Sequence, residues 1–561
     1  MRKSYNLFFG LILFLSFLKC QPQIATQSNQ KAIILNGEAI HVKTEGVNWK
    51  QGNNFLEGRG RFNTLYANLQ LSDSIFQVEA RMSLEKIDST TALFTFFNNH
   101  FGFDSTSGGE GEDGKNRFFI YSPDTGFFKK FAKCNQYIAP GKPFNFKMKT
   151  NKDEVIFTIN SKEVARVNKE NFRQPFSGGV GFRPWRNTIK LYEFKVDGNW
   201  NTYPDVPYVF QKDELGYHCF RNPSIVKTKN NTLLAFAQAR KKDCHDLGDR
   251  DIMVKRSTDG GKTWGAAIMI FDDGKNTCTG PVPIVDEKTG RISLIMTQVE
   301  IDYEAENELG MSELSRDVFI SYSSDDALTW TVPHNITKQT FDSDWDIIAT
   351  GPGAGVQLNS KRFNGRMIVP CYHRNRTDKV FYSHAMYSDD GGDSWKIGER
   401  TPFGKTTECK ITTLKNDQLF MSMRQENPKV KRREVCISKD GGLTWEDQRT
   451  DSTLIDSGCQ GSLAYYQNET QTILFSSGPY SEIHREKMTI SSSFDDGKTW
   501  TNRYELNNNP AAYSDLILLK KRELACFYEH GFMWPYEGLL FENLFFDNSQ
   551  DKEIFENKKT Q

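Results

Sequence analysis

The sequence predicts an all-β protein, a β-sandwich followed by a β-propeller. Two observations carry that prediction. In the second half an eight-residue pattern, S-x-D-x-G-x-T-W, returns five times, with its aspartates at 259, 325, 390, 440 and 495, a period of 50 to 66 residues. One strand-turn-strand unit repeated at that period marks propeller blades. In the first half, short runs alternate apolar and polar residues with the period of two that a half-buried strand requires. Composition agrees: 13% of the 561 residues are aromatic and 42 are glycine, which favours strands and turns over helices. The length exceeds what one core organises, so two folding units are expected.

The chain opens on an export signal. Arg2 and Lys3 form a positive start, and Leu7 to Leu18 is almost wholly apolar. That core is shorter than the ~20 residues a permanent span needs, and no later segment is apolar enough to cross a bilayer. Cys20 follows directly, where a lipoprotein would carry its lipid, although Phe17 and Lys19 depart from the small residues preferred there. Residues 1–20 are read as a signal peptide with Cys20 as a candidate lipid anchor. The mature chain is expected in the periplasm, on the outer membrane or cell surface, or secreted.

Residues 28–200 read as one β-domain. Ile75 to Met82, Phe144 to Met148 and Ile189 to Phe194 alternate, Val155 to Ile159 is an apolar strand, and Gly108 to Gly114 is a flexible acidic loop. Strands at this density, ending at Val196-Asp197-Gly198, suggest a β-sandwich. The segment resembles the lectin-like jelly-roll domains appended to carbohydrate enzymes, which leaves glycan binding and a purely structural spacer both open.

The five motifs are Ser257 to Trp264, Ser323 to Trp330, Ser388 to Trp395, Ser438 to Trp445 and Ser493 to Trp500; the second, Ser-Ser-Asp-Asp-Ala-Leu-Thr-Trp, lacks the central glycine. Ser and Asp oxygens are suited to cap backbone N–H groups in a tight hairpin, Gly supplies positive φ, and Trp packs the turn onto its blade. These boxes are expected to hold blades together and to face away from the propeller mouth. They are assigned no catalysis.

Lys plus Arg equals Asp plus Glu at 71 each, so no basic excess points to a nucleic-acid partner. The dense basic run, Lys429 to Arg433, reads as a solvated turn. Ten cysteines occur with no C-x-x-C pair, which gives no zinc site and no redox motif. Most are expected to be small buried residues, and no pairing can be assigned. No metal or other cofactor is called for.

The motifs between residues 205 and 545 are more specific. Phe220-Arg221-Asn222-Pro223 is followed by Leu233 to Arg240, then by Asp246-Leu247-Gly248-Asp249-Arg250-Asp251 and the first box. Gly351-Pro352-Gly353, Thr407-Glu408-Cys409, Met421-Ser422-Met423-Arg424, Ala512-Tyr513-Ser514-Asp515-Leu516 and Cys526-Phe527-Tyr528-Glu529 follow in order. This succession resembles the bacterial and animal exo-α-sialidases, the Asp-box or BNR-repeat glycoside hydrolases. The resemblance implies a six-bladed propeller, the sixth blade lacking a box, and removal of terminal sialic acid from glycoproteins, glycolipids or oligosaccharides.

It also implies roles. Arg221, Arg424 and Arg485 match the arginine triad that holds the substrate carboxylate; Arg485 is placed only by standing eight residues before Ser493. Arginine suits the task because it stays charged and grips a carboxylate bidentately. Tyr513 matches the nucleophile and Glu408 the base that takes its proton. A neutral phenol avoids the repulsion a carboxylate nucleophile would meet, and sialidases depart from the two-carboxylate scheme for glycosidases. Asp246 matches the general acid, in a loop able to close over substrate, and needs desolvation to raise its pKa. Its neighbours Asp243, Asp249 and Asp251 could instead form a merely solvated acidic loop with it. Arg240 matches the arginine that contacts the substrate beside the triad, and Glu529 a glutamate that orients the first triad arginine. Three positions depart from the family: Asn222 in place of isoleucine, Gln238 in place of glutamate, and Ala354 where histidine is common. They bear on which sialic acid is preferred.

Two other classes share these residues. One is a variant of the same site, a trans- or anhydro-sialidase or an enzyme preferring the deaminated sugar Kdn. The other is a non-catalytic adhesin for sialylated glycans, which would need the arginines but not Asp246, Glu408 and Tyr513 together.

Overall fold

The computed structural model describes residues 26–546 and Phe555 apart from short interruptions, the longest being 105–116 and 302–315. The signal segment, Cys20 and the Gly108 to Gly114 loop lie outside the described residues. No helix among the described residues is long and apolar enough to cross a membrane.

The first unit is two antiparallel sheets of ten and seven strands. Alternation sets their inward faces. Along the strand Gln70–Leu84, Phe76, Val78, Ala80 and Met82 are buried, and their partners on Phe144–Thr150 are Phe144, Phe146 and Met148. Val155 to Ile159 alternates as well, Val155, Phe157 and Ile159 being the fully buried members. On Thr188–Asn201 the phase slips at a bulge between Leu191 and Glu193, which keeps both Leu191 and Phe194 inside. The second sheet supplies Phe94, Phe101 and Phe182 to the same core. Rings meet across the gap, Phe94 on Phe146 at 5.4 Å, Phe101 on Phe157 at 4.7 Å and Phe182 on Phe194 at 5.1 Å. The apolar area of these rings is the main force closing this unit.

The second unit is built from antiparallel runs of four strands, with five among the described residues of the sheet that begins at Trp345. The first two, Cys219–Lys227 through Ile268–Phe271 and Thr277–Val285 through His334–Asn335, are joined into one eight-stranded sheet by a single parallel pairing, Arg250 with Thr277. Three further sheets follow, beginning with Trp345–Thr350, Thr406–Thr413 and Ser462–Gln467. The last contains Ala511–Lys520, Glu523–His530 and Gly538–Phe545, and Phe210–Gln211 from the start of the unit completes it through Phe210 opposite Leu539.

Each box closes the third strand of its run: Ser257, Ser323, Ser388, Ser438 and Ser493 are all terminal strand residues. In the first, Ser257 Oγ accepts from Gly261 N at 2.9 Å, Asp259 Oδ1 from Lys262 N and Thr263 N at 3.0 Å each, and Asp259 Oδ2 from Thr263 Oγ1 at 2.5 Å. Gly261 has φ +89°, and a Cβ there would stand 2.1 Å from Phe541 on the neighbouring sheet. The second box reaches the same turn without glycine, with Asp326 and Ala327 at φ 63° and 64°. Trp395, Trp445 and Trp500 are buried, Trp264 and Trp330 partly so. The basic run is only in part a solvated turn: Lys429 is exposed, but Arg433 is buried and donates to Ser422 Oγ at 2.6 Å and Cys459 O at 2.9 Å.

These hydrogen bonds depress the box carboxylates. Donation from Thr329 holds Asp325 at about 2, and at Asp390 burial opposes ionisation but Ser394 outweighs it and also leaves about 2; Asp259, Asp440 and Asp495 are lowered too. A depressed folded-state value gives stability that is present above the unfolded carboxylate range and lost on acidification. Chemical denaturation should show the unfolding free energy falling as pH drops from ~4 toward ~2, and Asp325→Asn with Asp390→Asn should flatten that slope.

Candidate active site

Arg221, Glu408 and Tyr513 share a local device. Each lies where the innermost strand of its run is bulged: pairing shifts between Arg221 and Ser224, between Thr406 and Cys409, and between Ala511 and Ser514. A bulge turns side chains out of the alternation of the sheet, here toward one cavity of about 290 Å³. The first bulge is set by Asn222 at φ 55° followed by Pro223, which has no N–H for the ladder. Arg240 and Arg424 reach the same cavity from the ends of second strands, Leu233–Arg240 and Leu419–Gln425, and Arg485 from the turn after Thr472–Pro479. Third strands run back from that end, which puts the boxes at the opposite one.

Tyr513 Oη donates to Glu408 Oε1 at 2.5 Å, while Arg424 Nη1 donates to Glu408 Oε2 at 2.7 Å and to Tyr513 Oη at 3.1 Å. Burial, then the adjacent Glu408, pushes the phenol well above its usual value against the pull of Arg424, Arg485 and Arg221. The tyrosine is therefore neutral with its proton already aimed at a carboxylate. Glu529, wholly buried, accepts from Arg221 Nε at 3.0 Å, Asn222 N at 3.0 Å and Tyr513 N at 3.0 Å, so it orients the arginine and anchors both bulges. Burial pulls the Arg221 guanidinium down, but Glu529, Tyr536, Asp246 and Tyr513 together outweigh it and hold it well above its usual value. Arg485 lines the cavity beside Arg424; its Nη2 donates to Gly458 O at 2.5 Å, and a Cβ on Gly458 would be 4.0 Å from Arg424 Nη2.

The Asp246 loop is tethered at several points. Cys219 and Cys244 form a disulfide. Arg240 Nη1 donates to Cys244 O and His245 O at 2.6 Å each, and Arg250 donates to His245 O and Leu247 O. The loop is wrapped around two buried guanidiniums. Asp246 Oδ1 accepts from Arg221 at 3.1 Å and Arg240 at 3.0 Å, with 55% of its side chain exposed. Its desolvation, expected to raise the pKa, is outweighed by Arg240 and Arg221, which hold the carboxyl well below the usual range. Burial and Arg221 in turn lower Arg240 to about 10. The neighbouring aspartates are otherwise engaged, Asp243 with Arg250, Asp249 with Lys241, Asp251 with Tyr217 and Lys241, and Asp246 alone among them lines the cavity.

The departures at 222 and 238 answer each other. Asn222 Nδ2 donates to Gln238 Oε1 at 3.2 Å and to Thr279 Oγ1 at 3.1 Å, and Gln238 Oε1 also accepts from Arg240 Nε at 2.9 Å. Ala354 does not line the cavity; its backbone N donates to Asp515.

A family model described as a BNR repeat-like domain matches residues 231–525. The chain belongs to the BNR repeat-like family. It is 30% identical to the sialidase of Bacteroides fragilis over 335 residues, 55% of this chain and 60% of that protein, and 27% identical to the sialidase of Micromonospora viridifaciens over 330 residues, 56% and 50%. The chain thus spans between half and three fifths of these relatives. Among solved structures, the Hadza microbial sialidase Hz136 matches with TM-score 0.54 at 19% identity, covering 92% of this chain and 98% of its own; a leech intramolecular trans-sialidase matches with 0.52 at 15%, covering 93% and 98%. The likeness establishes a shared fold, the propeller of these proteins.

Around the cavity, residue types alone did not reveal Tyr536, Arg316, Tyr372, Phe381 and Glu426. The last four line the cavity wall. Tyr536 stacks on Arg221 at 4.1 Å and its Oη accepts from Arg485 at 2.8 Å. None lies in a repeated or spaced pattern, and only the fold brings them in. The disulfide gave no signal either, since ten cysteines offer many pairings; six of the remaining ones are buried and free, as expected.

Cys219→Ser with Cys244→Ser should lower stability by about 3 kcal/mol, the loop-closure entropy of a loop of this length. Limited proteolysis should then open the chain first between residues 241 and 249.

Proposed function

We propose that this protein is an exported exo-α-sialidase that hydrolyses terminal α-linked sialic acids with retention, using Tyr513 as nucleophile. The observation that carries the reading is the Tyr513–Glu408–Arg424 contact set with two more arginines and Asp246 around one cavity. We read residues 205–545 as six blades, the eight-stranded sheet counting as two, and residues 28–200 as a sandwich domain. Residues 1–20 act as the export signal, with Cys20 the candidate lipid anchor.

The chemistry follows from the geometry. Arg221, Arg424 and Arg485 take the substrate carboxylate, and their fixed forks offset its desolvation. Tyr513 Oη attacks the anomeric carbon as its proton passes to Glu408. The glycosidic oxygen leaves with a proton from Asp246. Water, deprotonated by Asp246, then displaces Tyr513 from the face that the leaving group vacated, and Glu408 returns the proton to the phenol. The two displacements restore the starting configuration.

Product analysis on sialyllactose by NMR tests the reading: α-sialic acid and lactose are expected first, whereas an anhydro sugar, a transfer product or no product would replace it. Tyr513→Phe should retain binding and fold while turnover falls by several orders of magnitude; wild-type turnover in that variant removes the nucleophile assignment. Asp246→Ala should depress sialyllactose cleavage far more than cleavage of an aryl sialoside, whose leaving group departs with little help. Equal losses on both substrates would move Asp246 to a purely electrostatic role.

A further inference from the structure

One loop joins the two units at the site. Residues 531–537 turn tightly: a Cβ on Gly531 would lie 2.0 Å from Trp534 O, and Glu537 Oε1 accepts from Phe532 N at 3.1 Å and Met533 N at 2.8 Å. The inner side of this loop presents Tyr536. Its ring lies 4.1 Å from the Arg221 guanidinium, its hydroxyl accepts from Arg485 Nη1 at 2.8 Å, and it packs against Cys459, Ala512 and Tyr513. The outer side is gripped by the first unit. The Trp534 ring meets Tyr66 at 5.3 Å and a Cβ on Gly179 would stand 3.4 Å from Met533 Cγ, while Phe532 packs on Tyr203, in the segment that leaves that unit, at 5.2 Å. Lys212 completes the clamp, its backbone N donating to Glu537 O at 3.0 Å and its Nζ to Thr44 O at 2.5 Å.

We propose that Tyr536 is a positioning residue for Arg221 and Arg485, and that the N-terminal unit holds it there, so that this unit is part of the substrate-binding machinery. The inference rests on the sialidase reading for the identity of the ligand. Two arginines that converge on one anion repel each other while the site is empty. The electron-rich face of a tyrosine attracts one guanidinium and its hydroxyl oxygen accepts from the other, which keeps both forks aimed without a charge that would compete for them. A carboxylate in that place would compensate the repulsion but would also oppose the substrate anion. The first unit then contributes by limiting the excursions of residues 532–534, because a displacement there moves Tyr536 off both forks.

The test is steady-state kinetics on sialyllactose with the full chain. Carboxylate binding is felt alike in ground and transition states, so loss of the arginine alignment raises KM and leaves kcat nearly unchanged. Tyr536→Phe, which keeps the ring and removes only the hydroxyl, should raise KM about tenfold or more, the loss of one hydrogen bond to a charged group. Tyr536→Leu should raise it further. Tyr66→Ala, in the other unit and outside the cavity, should raise KM about two- to fivefold, and should add nothing in the Tyr536→Leu background, since coupled residues are non-additive. Melting curves identify variants that retain the fold. A folded Tyr536→Phe with wild-type KM overturns the proposal, as does a Tyr66→Ala effect undiminished by Tyr536→Leu. If the wild-type chain turned over no sialoside, the sialidase reading would fail on its own, and calorimetric affinity for free N-acetylneuraminic acid would apply the same comparison. Absence of wild-type binding in that assay would overturn both.

Discussion

At the centre of the second unit the Asp515 carboxylate is wholly buried and fully engaged. Its Oδ2 accepts from Ile225 N at 3.0 Å and Ala354 N at 2.9 Å, and its Oδ1 from Lys410 Nζ at 2.6 Å and Ser462 Oγ at 2.8 Å. A buried carboxylate left unpaired costs several kcal/mol, so each donor must stay in place for the others to be worth having. The four donors come from three innermost strands and the loop before Val356–Leu358, while Asp515 belongs to a fourth strand. The sheets are thereby tied to one point on their common axis, with Lys410 Nζ also donating to Ala354 O at 2.7 Å.

The catalytic candidates hang from that point. Tyr513 and Glu408 lie two residues before Asp515 and Lys410, and Arg221 four before Ile225. In a regular strand, residues two apart share a face, and Tyr513 would then follow Asp515 toward the axis and into the packed centre. The bulges at Arg221, Glu408 and Tyr513 break the alternation between anchor and site, so a rigid knot below can carry side chains that face an open cavity above. Glu529 closes the arrangement by accepting from the backbone of two bulges at once. The placement of Arg221, Glu408 and Tyr513 is thus inherited from the axis, while Arg485, Asp246 and Tyr536 are placed by loops.

Legibility in the sequence follows the same division. The boxes could be read because one local turn was written five times, and the first-unit strands because burial of one face imposes alternation. Arg221, Arg424, Tyr513 and Glu408 were readable through their strand contexts and Arg485 through its spacing from the last box, and one cavity is lined by all of them. What could not be read depends on contacts between distant segments. Tyr536 approaches Arg221 and Arg485 only after the last sheet has closed on Phe210, and Cys244 finds Cys219 only once second-strand geometry has placed the loop. The tether of the Asp246 loop was hidden for a related reason: Arg240, which matches a substrate-contacting arginine, also binds the carbonyls of residues 244 and 245.

That tether poses the question of how Asp246 could act as an acid. In the empty site two guanidiniums hold its carboxyl ionised, and an ionised group has no proton to give. On the reading proposed above, the substrate supplies what is missing. Its carboxylate binds Arg221, one of the two cations that depress Asp246, and adds a negative charge to the same low-dielectric cavity. Both changes favour the protonated form, and the sugar ring over Asp246 removes the solvent that now covers its exposed side; burial of that kind raises a carboxyl pKa. Arg240 remains, engaged with Gln238 and two carbonyls, and fixes the position of the carboxyl while its charge is shared among several partners. The acid would then be poised only when an anionic sugar is bound, so a neutral sugar of the same shape would gain neither the grip of the arginines nor the proton. On that reading, selectivity for the acidic sugar would arise from the protonation of Asp246 as well as from direct recognition.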